Sequence, residues 1–220
     1  MAIREIILVL AALIIIVLSF AAHKNKIFAK IQVIDVDFSD GSILYKIYQG
    51  DYSKISSFFD KTVSEINNEI KEDAKKVKFF GIYYDDPAKI KNPNESRAIV
   101  GIIYNQVNKP KVSFDAEDFA RRHSEYKTAP MPELDAFGAF FPLLSKTSMM
   151  LHIARGYPAI KKYGAEKNLM SKTKFSLEIY SFTEKKFFIC FPHGDGIENL
   201  ANLSGIAKPE YKAETKPKTE

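Results

Sequence analysis

The chain has 220 residues, of which 46% are hydrophobic and 27% charged, a globular composition that excludes a largely disordered protein. The formal net charge of +5 is modest and the basic residues form no clustered face, so we predict no direct nucleic-acid partner. Cys190 is the single cysteine, which excludes an internal disulfide framework and favours a reducing compartment.

An apolar run from Ile6 to Ala22, interrupted only by Ser19, lies near the start of the chain. As a helix with ~1.5 Å rise per residue it reaches about 25 Å, close to the ~27 Å hydrocarbon core of the endoplasmic reticulum bilayer. We therefore predict a transmembrane anchor over residues 1–22, with the lipid bilayer as a partner. The alternative is a cleaved signal peptide, because residues 19–21 (SFA) resemble a small-x-small cleavage site.

The charges that follow the anchor predict its orientation. Lys24, Lys26 and Lys30 come directly after the apolar run, and positive residues stay on the cytosolic side of a membrane. Asn94 and Asn202 each begin an Asn-x-Ser sequence, which would accept glycans in a lumen and so favours the opposite orientation. We give the lysines more weight and predict a cytosolic domain.

A linker over 23–40 is followed by a first unit of strand, helix, strand and strand. The helix is predicted because apolar residues recur at intervals of three and four after an N-cap at Ser53. The strands are predicted from their β-branched and aromatic residues. The elements of this unit are a strand over 43–48, a helix over 55–70, and strands over 77–84 and 98–104, with a turn over 85–87.

A second unit repeats this order, after a short helix over 115–122 and an extended segment over 125–131. Pro158 predicts a kink or a break in its long helix. The elements of this unit are a strand over 134–141, a helix over 146–167, and strands over 174–182 and 185–191. Residues 194–220 alternate lysine and glutamate and predict a short, disordered, charged tail.

Two copies of βαββ predict an α+β domain over 41–193. It would consist of one antiparallel sheet with both long helices on one face, leaving a helix-free face that we call the saddle.

Several short motifs in this order resemble the family of testis-expressed protein 264, whose members carry a membrane anchor and a GyrI-like domain of the SOUL/GyrI type. The motifs are residues 45–52 (YKIYQGDY), 83–87 (YYDDP), 97–101 (RAIVG), 140–142 (FFP), 177–180 (LEIY) and 190–192 (CFP). The resemblance extends from the anchor to about Pro192.

The resemblance implies a single-pass protein of the endoplasmic reticulum membrane that acts as an adaptor or receptor in selective autophagy of that organelle. The implied partners are autophagy modifiers and the valosin-containing ATPase. The sequence departs from the family in its tail, which is short and lacks the aromatic-x-x-aliphatic motif. Its one aromatic residue, Tyr211, has Glu214 three positions later.

Glu178 is the main candidate for chemistry. Strand alternation sends Leu177 and Ile179 to one face and Glu178 and Tyr180 to the other. If the helices cover the first pair, the second pair lies in the saddle, where a carboxylate walled by aromatic rings favours a cationic, aromatic ligand. In GyrI-like domains the glutamate at this position commonly contacts such ligands. The predicted ligand-binding residues are Glu178, Tyr180, Tyr48 and Tyr84.

Two other interpretations of Glu178 stay open. It could be a surface carboxylate paired with a lysine across the sheet, or a hydrolytic group, as in some GyrI-like proteins. Those hydrolases often have a neighbouring tryptophan, and this chain has none. We therefore predict a binding or adaptor protein and no enzyme, with a membrane-tethered domain that binds or hydrolyses lipophilic cations as the alternative.

The remaining candidates for a metal or cofactor are weak. The histidines have no zinc-ligand spacing, and none is marked as an axial haem ligand, so we predict no metal and no cofactor. These histidines are His23, His123, His152 and His193.

Overall fold

The computed structural model describes residues 3–24, 29–38, 41–106 and 111–212. The helices are α1 (Ile3–Lys24), α2 (Ile55–Ile70), α3 (Ala116–Arg122), α4 (Lys146–Glu166) and α5 (Ile197–Ala201). The strands are β1 (Ile34–Phe38), β2 (Gly41–Gln49), β3 (Lys78–Tyr83), β4 (Arg97–Tyr104), β5 (Tyr126–Met131), β6 (Leu134–Pro142), β7 (Ser176–Ser181) and β8 (Lys186–His193).

The strands form one eight-stranded antiparallel sheet in the order β1-β6-β8-β7-β3-β4-β2-β5. Its two halves have the same internal order, because β2-α2-β3-β4 corresponds to β6-α4-β7-β8. The second strands of the two halves, β3 and β7, pair with each other at the centre of the sheet, with Gly81 opposite Glu178. The predicted strand–helix–strand–strand repeats are therefore present, and β1 and β5 form the two edges.

The long helices α2 and α4 pack on one face of this sheet. Ile66 of α2 and Ile160 of α4 are fully buried in the same apolar cluster as Phe79 and Phe187 of the sheet. The chain enters α2 through a 3-10 turn, where the Asp51 side chain accepts a hydrogen bond from the backbone N–H of Ser53. Asp51 thus caps the turn that precedes α2, and Ser53, the predicted N-cap, lies inside this turn.

Helix α4 continues without a break through Pro158. Proline lacks an N–H, so the carbonyl of Ala154, four residues earlier, loses its helical hydrogen bond. Packing against β6 accounts for the continuity. A Cβ atom on Gly156 would lie 2.7 Å from the ring of Phe141, so the glycine allows the helix and the strand to approach closely. The predicted break is absent, although the carbonyl of Ala154 still lacks its helical hydrogen bond.

The opposite face, the predicted saddle, is filled. Ile197 and Leu200 of α5 are buried against a second apolar cluster that contains Ile82 and Leu177. The following residues reach the loop between β3 and β4, where Tyr211 forms an isolated β-bridge with Ile90. This corrects the predicted tail, because its first part is packed on the domain. Residues 213–220 lie outside the described part of the chain.

The predicted linker also contains structure, since β1 pairs along β6 with Ile34 opposite Gly138. Before it, α1 exposes large apolar side chains such as Leu8, Leu13 and Phe20. Among the residues that the structure describes, no helix meets the length and hydropathy required of a membrane span.

Candidate ligand site around Glu178

Glu178 lies in the middle of β7, on the face of the sheet that the helices cover. The alternation along β7 is as predicted, with Leu177 and Ile179 on the face opposite to Tyr180. The assignment of the two faces was wrong, because α2 and α4 pack over Glu178 and Tyr180, whereas the α5 segment covers Leu177. The Glu178 side chain is consequently almost inaccessible, with the residue 3% exposed.

Three tyrosine hydroxyl groups surround the Glu178 carboxylate. Tyr157 of α4 donates a hydrogen bond to Oε1 over 2.8 Å, and Tyr180 donates to Oε2. Tyr83, at the end of β3, lies near enough to lower the pKa of this carboxylate. The Tyr157 hydroxyl lies 3.1 Å from Oγ of Ser176 as well. Two strands and one helix, distant in sequence, therefore supply one closed polar cluster.

The positions of these groups follow from local structure. Tyr83 bends back over Gly81, where a Cβ atom would lie only 3.0 Å from the Tyr83 ring, so a side chain at residue 81 would displace the tyrosine. Gly81 is the β3 partner of Glu178. The absence of a side chain at this position thus makes room for Tyr83 beside the carboxylate.

Burial controls the ionisation of the cluster. It raises the pKa of Glu178 above the ordinary value of 4.5, and the hydrogen bonds from the tyrosines oppose that shift in part. The pKa of each of Tyr83, Tyr157 and Tyr180 is raised well above 10, first by burial and then by the neighbouring carboxylate. Among the described residues no cation contributes to the pKa of Glu178. The carboxylate therefore has donors but no counter-ion.

Aromatic rings form the wall around this cluster. The Tyr180 ring lies 4.9 Å from that of Phe59 on α2, centroid to centroid, and 5.8 Å from Phe187 on β8. The Tyr157 ring meets Phe191 edge-on at 5.9 Å. The burial of Glu178 shows that the site is closed to solvent. Two cavities of about 280 and 640 Å³, beside Asp73 and Lys127 respectively, do not include Glu178.

The structure separates the other two predicted site residues from Glu178. Tyr84 lies on the opposite face, where its hydroxyl donates to the backbone oxygen of Leu200 over 2.8 Å. Tyr48 is on the helix side, but its hydroxyl donates to the backbone oxygen of Asp51 and its ring packs on Phe58. Neither tyrosine therefore forms the predicted wall.

Tyr83 and Tyr157 take those places, and the sequence analysis missed both. Tyr157 lies in the helix predicted over 146–167, but the helix prediction alone does not reveal its contact with Glu178. Within the described residues, no group of histidine, cysteine, aspartate or glutamate side chains could hold a metal ion.

No protein-family model matches the chain. No curated protein matches it either. Among solved structures, the C-terminal domain of EcmrR is similar with a TM-score of 0.50 and 12% identity, over 75% of this chain and 98% of that chain. A hydrolase from Listeria innocua has a TM-score of 0.47 and 10% identity, over 79% and 98%. The protein SAV2435, bound to tetraphenylphosphonium, has a TM-score of 0.41 and 11% identity, over 77% and 96%.

The EcmrR likeness shows a shared fold and nothing further at this level of identity. The fold prediction is confirmed in its coarse form: the domain is α+β, with one antiparallel sheet and helices, and its fold is similar to that of the EcmrR C-terminal domain.

Proposed function

We propose that the domain binds a small, aromatic cation at Glu178 and releases it unchanged. The observation that supports this most strongly is a carboxylate that is 3% exposed and has no cationic partner among the described residues. A buried charge normally has a counter-ion, because removing it from water costs several kcal/mol. A bound cation would provide that counter-ion.

The aromatic wall favours a particular type of cation. Phe59, Phe187 and Phe191 contact the tyrosines that hold Glu178. A cation next to aromatic rings gains about 2 kcal/mol or more where water is excluded. A flat or ring-bearing cation of delocalised charge therefore suits this environment better than a metal ion or an ammonium with a tight water shell.

The ligand can enter only if part of the helix layer moves, because the site is closed in the described structure. Tyr157 is the helix residue that hydrogen bonds the carboxylate, and it lies between Gly156 and Pro158. This part of α4 lacks the hydrogen bond that Pro158 would otherwise donate. We therefore place the entrance beneath the middle of α4.

The test is isothermal titration calorimetry of the full chain with tetraphenylphosphonium, comparing the unaltered protein with Glu178→Gln. We expect at least a ~10-fold loss of affinity, equivalent to about 1.4 kcal/mol, because the amide keeps the size and removes the charge. Glu184→Gln, in the exposed turn between β7 and β8, is the matched control and should bind as the unaltered chain does. Equal affinities for all three proteins would refute the proposal.

Neutral triphenylphosphine oxide separates charge recognition from hydrophobic binding. It should bind the unaltered chain and Glu178→Gln with the same low affinity. A hydrolytic role is not part of this proposal, since both oxygens of the Glu178 carboxylate already accept hydrogen bonds from tyrosine hydroxyls. Turnover of an ester in the presence of the chain, lost in Glu178→Gln, would overturn that view.

We also propose that the chain is attached to a membrane through Ile6–Ala22, with the domain in the cytosol. The support is the apolar sequence and the exposed apolar side chains of α1. Retention in the membrane pellet after alkaline carbonate extraction would agree with this. A glycan on Asn94 would contradict the cytosolic orientation.

The role as an adaptor at the endoplasmic reticulum rests on the family resemblance alone and stays a prediction. Pull-down with autophagy modifiers and with the valosin-containing ATPase tests it. Capture of neither partner by the full chain would refute it.

A further inference from the structure

Large apolar side chains are exposed at one end of the domain. Outside α1, the described residues leave six such side chains exposed, and five of them, each between 45 and 59% exposed, lie at this end. We call these five residues the apolar end patch: Phe140, Leu144, Met150, Leu151 and Phe182. The sixth, Tyr211, lies elsewhere. Exposed apolar residues that gather in one place mark an interaction site more often than residues scattered singly.

Strand pairing brings the members of the patch together. Lys186, the first residue of β8, pairs with both Pro142 at the end of β6 and Ser181 at the end of β7. The backbone N–H of Leu143 donates to the oxygen of Lys185 over 2.8 Å, which joins the loop before α4 to the turn after β7. Phe140, Leu144 and Phe182 therefore lie at the same end of the sheet, where the Phe140 ring packs on Phe188 of the α5 face and the Phe182 ring packs on Phe79 of the helix face.

Helix α4 adds the other two residues. It runs antiparallel to β6, with the His152 ring 5.4 Å from that of Phe141. Met150 and Leu151 directly precede His152 and lie on the exposed side of the helix. They consequently lie at the same end of the domain, on its helix side.

The rim of the patch is mainly basic. Lys146, Lys185 and Lys186 are exposed around it. The acidic groups nearby are Glu184, in the same turn as Lys185, and Asp60, which is paired with Lys146. An apolar centre with lysines at its edge matches the interface of an anionic bilayer, which binds apolar groups and attracts basic ones.

The N-terminal segment approaches the domain at this place. Arg155, one helical turn after Leu151, donates a hydrogen bond from Nη2 to the backbone oxygen of Ala29 over 3.3 Å. The apolar helix α1 ends at Lys24, five residues earlier, and five residues span at most about 18 Å. The end of α1 is therefore held within that distance of Ala29, which contacts the same helix as Met150 and Leu151.

We propose that the apolar end patch docks on the surface of an anionic lipid bilayer, so that the domain lies on the membrane in a fixed orientation. This inference rests on the proposed membrane attachment. Docking would insert the patch into the boundary between headgroups and acyl chains, with a depth of ~5–10 Å. The opposite end of the sheet, which includes Asn94 before β4, would point away from the membrane.

The test measures the lipid contact of a single label on the full chain. Leu144→Cys and the matched control Asn94→Cys are each labelled with nitrobenzoxadiazole and mixed with vesicles of phosphatidylcholine and phosphatidylserine. Cys190 is buried and does not interfere. We expect brominated acyl chains to quench the label at residue 144 about twofold and to leave the label at residue 94 unchanged.

A second variant tests whether the basic rim contributes to docking. The pair Lys185→Glu and Lys186→Glu should abolish quenching at residue 144 on anionic vesicles. Protection of the label without bromolipid quenching would instead indicate a second copy of the chain on the patch, and would overturn the proposal. Equal quenching at residues 144 and 94, in a chain that floats with the vesicles, would refute docking but not the proposed membrane attachment. Failure to float with any vesicle would refute both docking and the proposed membrane attachment.

Discussion

Replacing Asp85 by asparagine should destabilise the domain strongly, because Asp85 and Arg97 form a buried ion pair. The Asp85 side chain is fully buried and that of Arg97 is 7% exposed. Oδ2 of Asp85 accepts from the backbone N–H and from Nε of Arg97, at 2.8 and 3.0 Å, and Oδ1 accepts from Nη2 at 2.8 Å. The Asp85 carboxylate also raises the pKa of Arg97.

Asparagine would leave the Arg97 guanidinium buried without a counter-charge. It would also place an N–H₂ group against donors, since only one of its two side-chain groups accepts hydrogen bonds. Removing one member of a buried pair costs about 3–5 kcal/mol, out of the ~5–15 kcal/mol that stabilises a typical domain. Tyr211 donates to the same carboxylate over 2.8 Å, so the C-terminal segment should loosen as well.

Urea unfolding followed by circular dichroism gives the free energy of unfolding. With a slope of ~2 kcal/mol per molar urea, a loss of ~4 kcal/mol lowers the midpoint by about 2 M. Glu210→Gln is the matched control, because Lys91 and Glu210 form an exposed pair at 2.9 Å that joins the β3–β4 loop to the C-terminal segment. Exposed pairs contribute ~0–1 kcal/mol. A loss in Asp85→Asn no larger than in the control would refute this reasoning.

Three further changes test the site and the helix that covers it. The stability of the unaltered chain relative to Glu178→Gln should fall as pH rises from about 4.5 through the raised folded-state pKa of Glu178, because the folded state binds that proton more tightly. Urea midpoints of both proteins from pH 4 to 8 would show this fall. A constant difference between the two midpoints would contradict the prediction. Gly164→Ala should cost ~1–3 kcal/mol, since its Cβ atom would lie 2.5 Å from the Phe137 ring; a rise in melting temperature from helix propensity alone would contradict this. Pro158→Ala should stabilise the domain by up to ~3 kcal/mol and slow the association of tetraphenylphosphonium in stopped-flow measurements; unchanged association would argue against entry beneath α4.

The strands and long helices could be predicted because their periodicities are strong. The alternation along β7 and the three-and-four spacing of α2 depend only on neighbouring residues, so a single sequence contains them. The edge strand β1 was harder, since Ile34–Phe38 is short and pairs with β6, about a hundred residues later.

Which face of β7 the helices cover could not be derived from alternation. Leu177 and Ile179 form an apolar set, and Glu178 and Tyr180 a partly polar one, so the second set was expected to lie open. The polar set is buried because its members satisfy one another: the carboxylate accepts the hydrogen bonds that the tyrosine hydroxyls must donate. Such mutual satisfaction depends on residues that are distant in sequence.

The filling of the saddle also depends on residues that are distant in sequence. Ile197, Leu200 and Leu203 are few and are surrounded by polar residues, so their pattern is too weak to predict a packed segment. They become an apolar face only when the chain returns over β3 and β7, where Tyr84 donates to the oxygen of Leu200.

The closure of the Glu178 site has a thermodynamic consequence for the proposed ligand. The hydrogen bonds that the Tyr157 and Tyr180 hydroxyls give to the carboxylate stabilise the empty domain, so a cation must compete with them, and its measured affinity is reduced by the fraction of open molecules. Opening at α2 would separate Phe59 from Tyr180 in a helix that contains no proline. Opening at α4 would occur where Pro158 has already removed a backbone hydrogen bond, next to Tyr157. The free-energy cost of opening is therefore lower at α4. Tyr157, which would move with this part of the helix, is also one of the residues that hold the carboxylate.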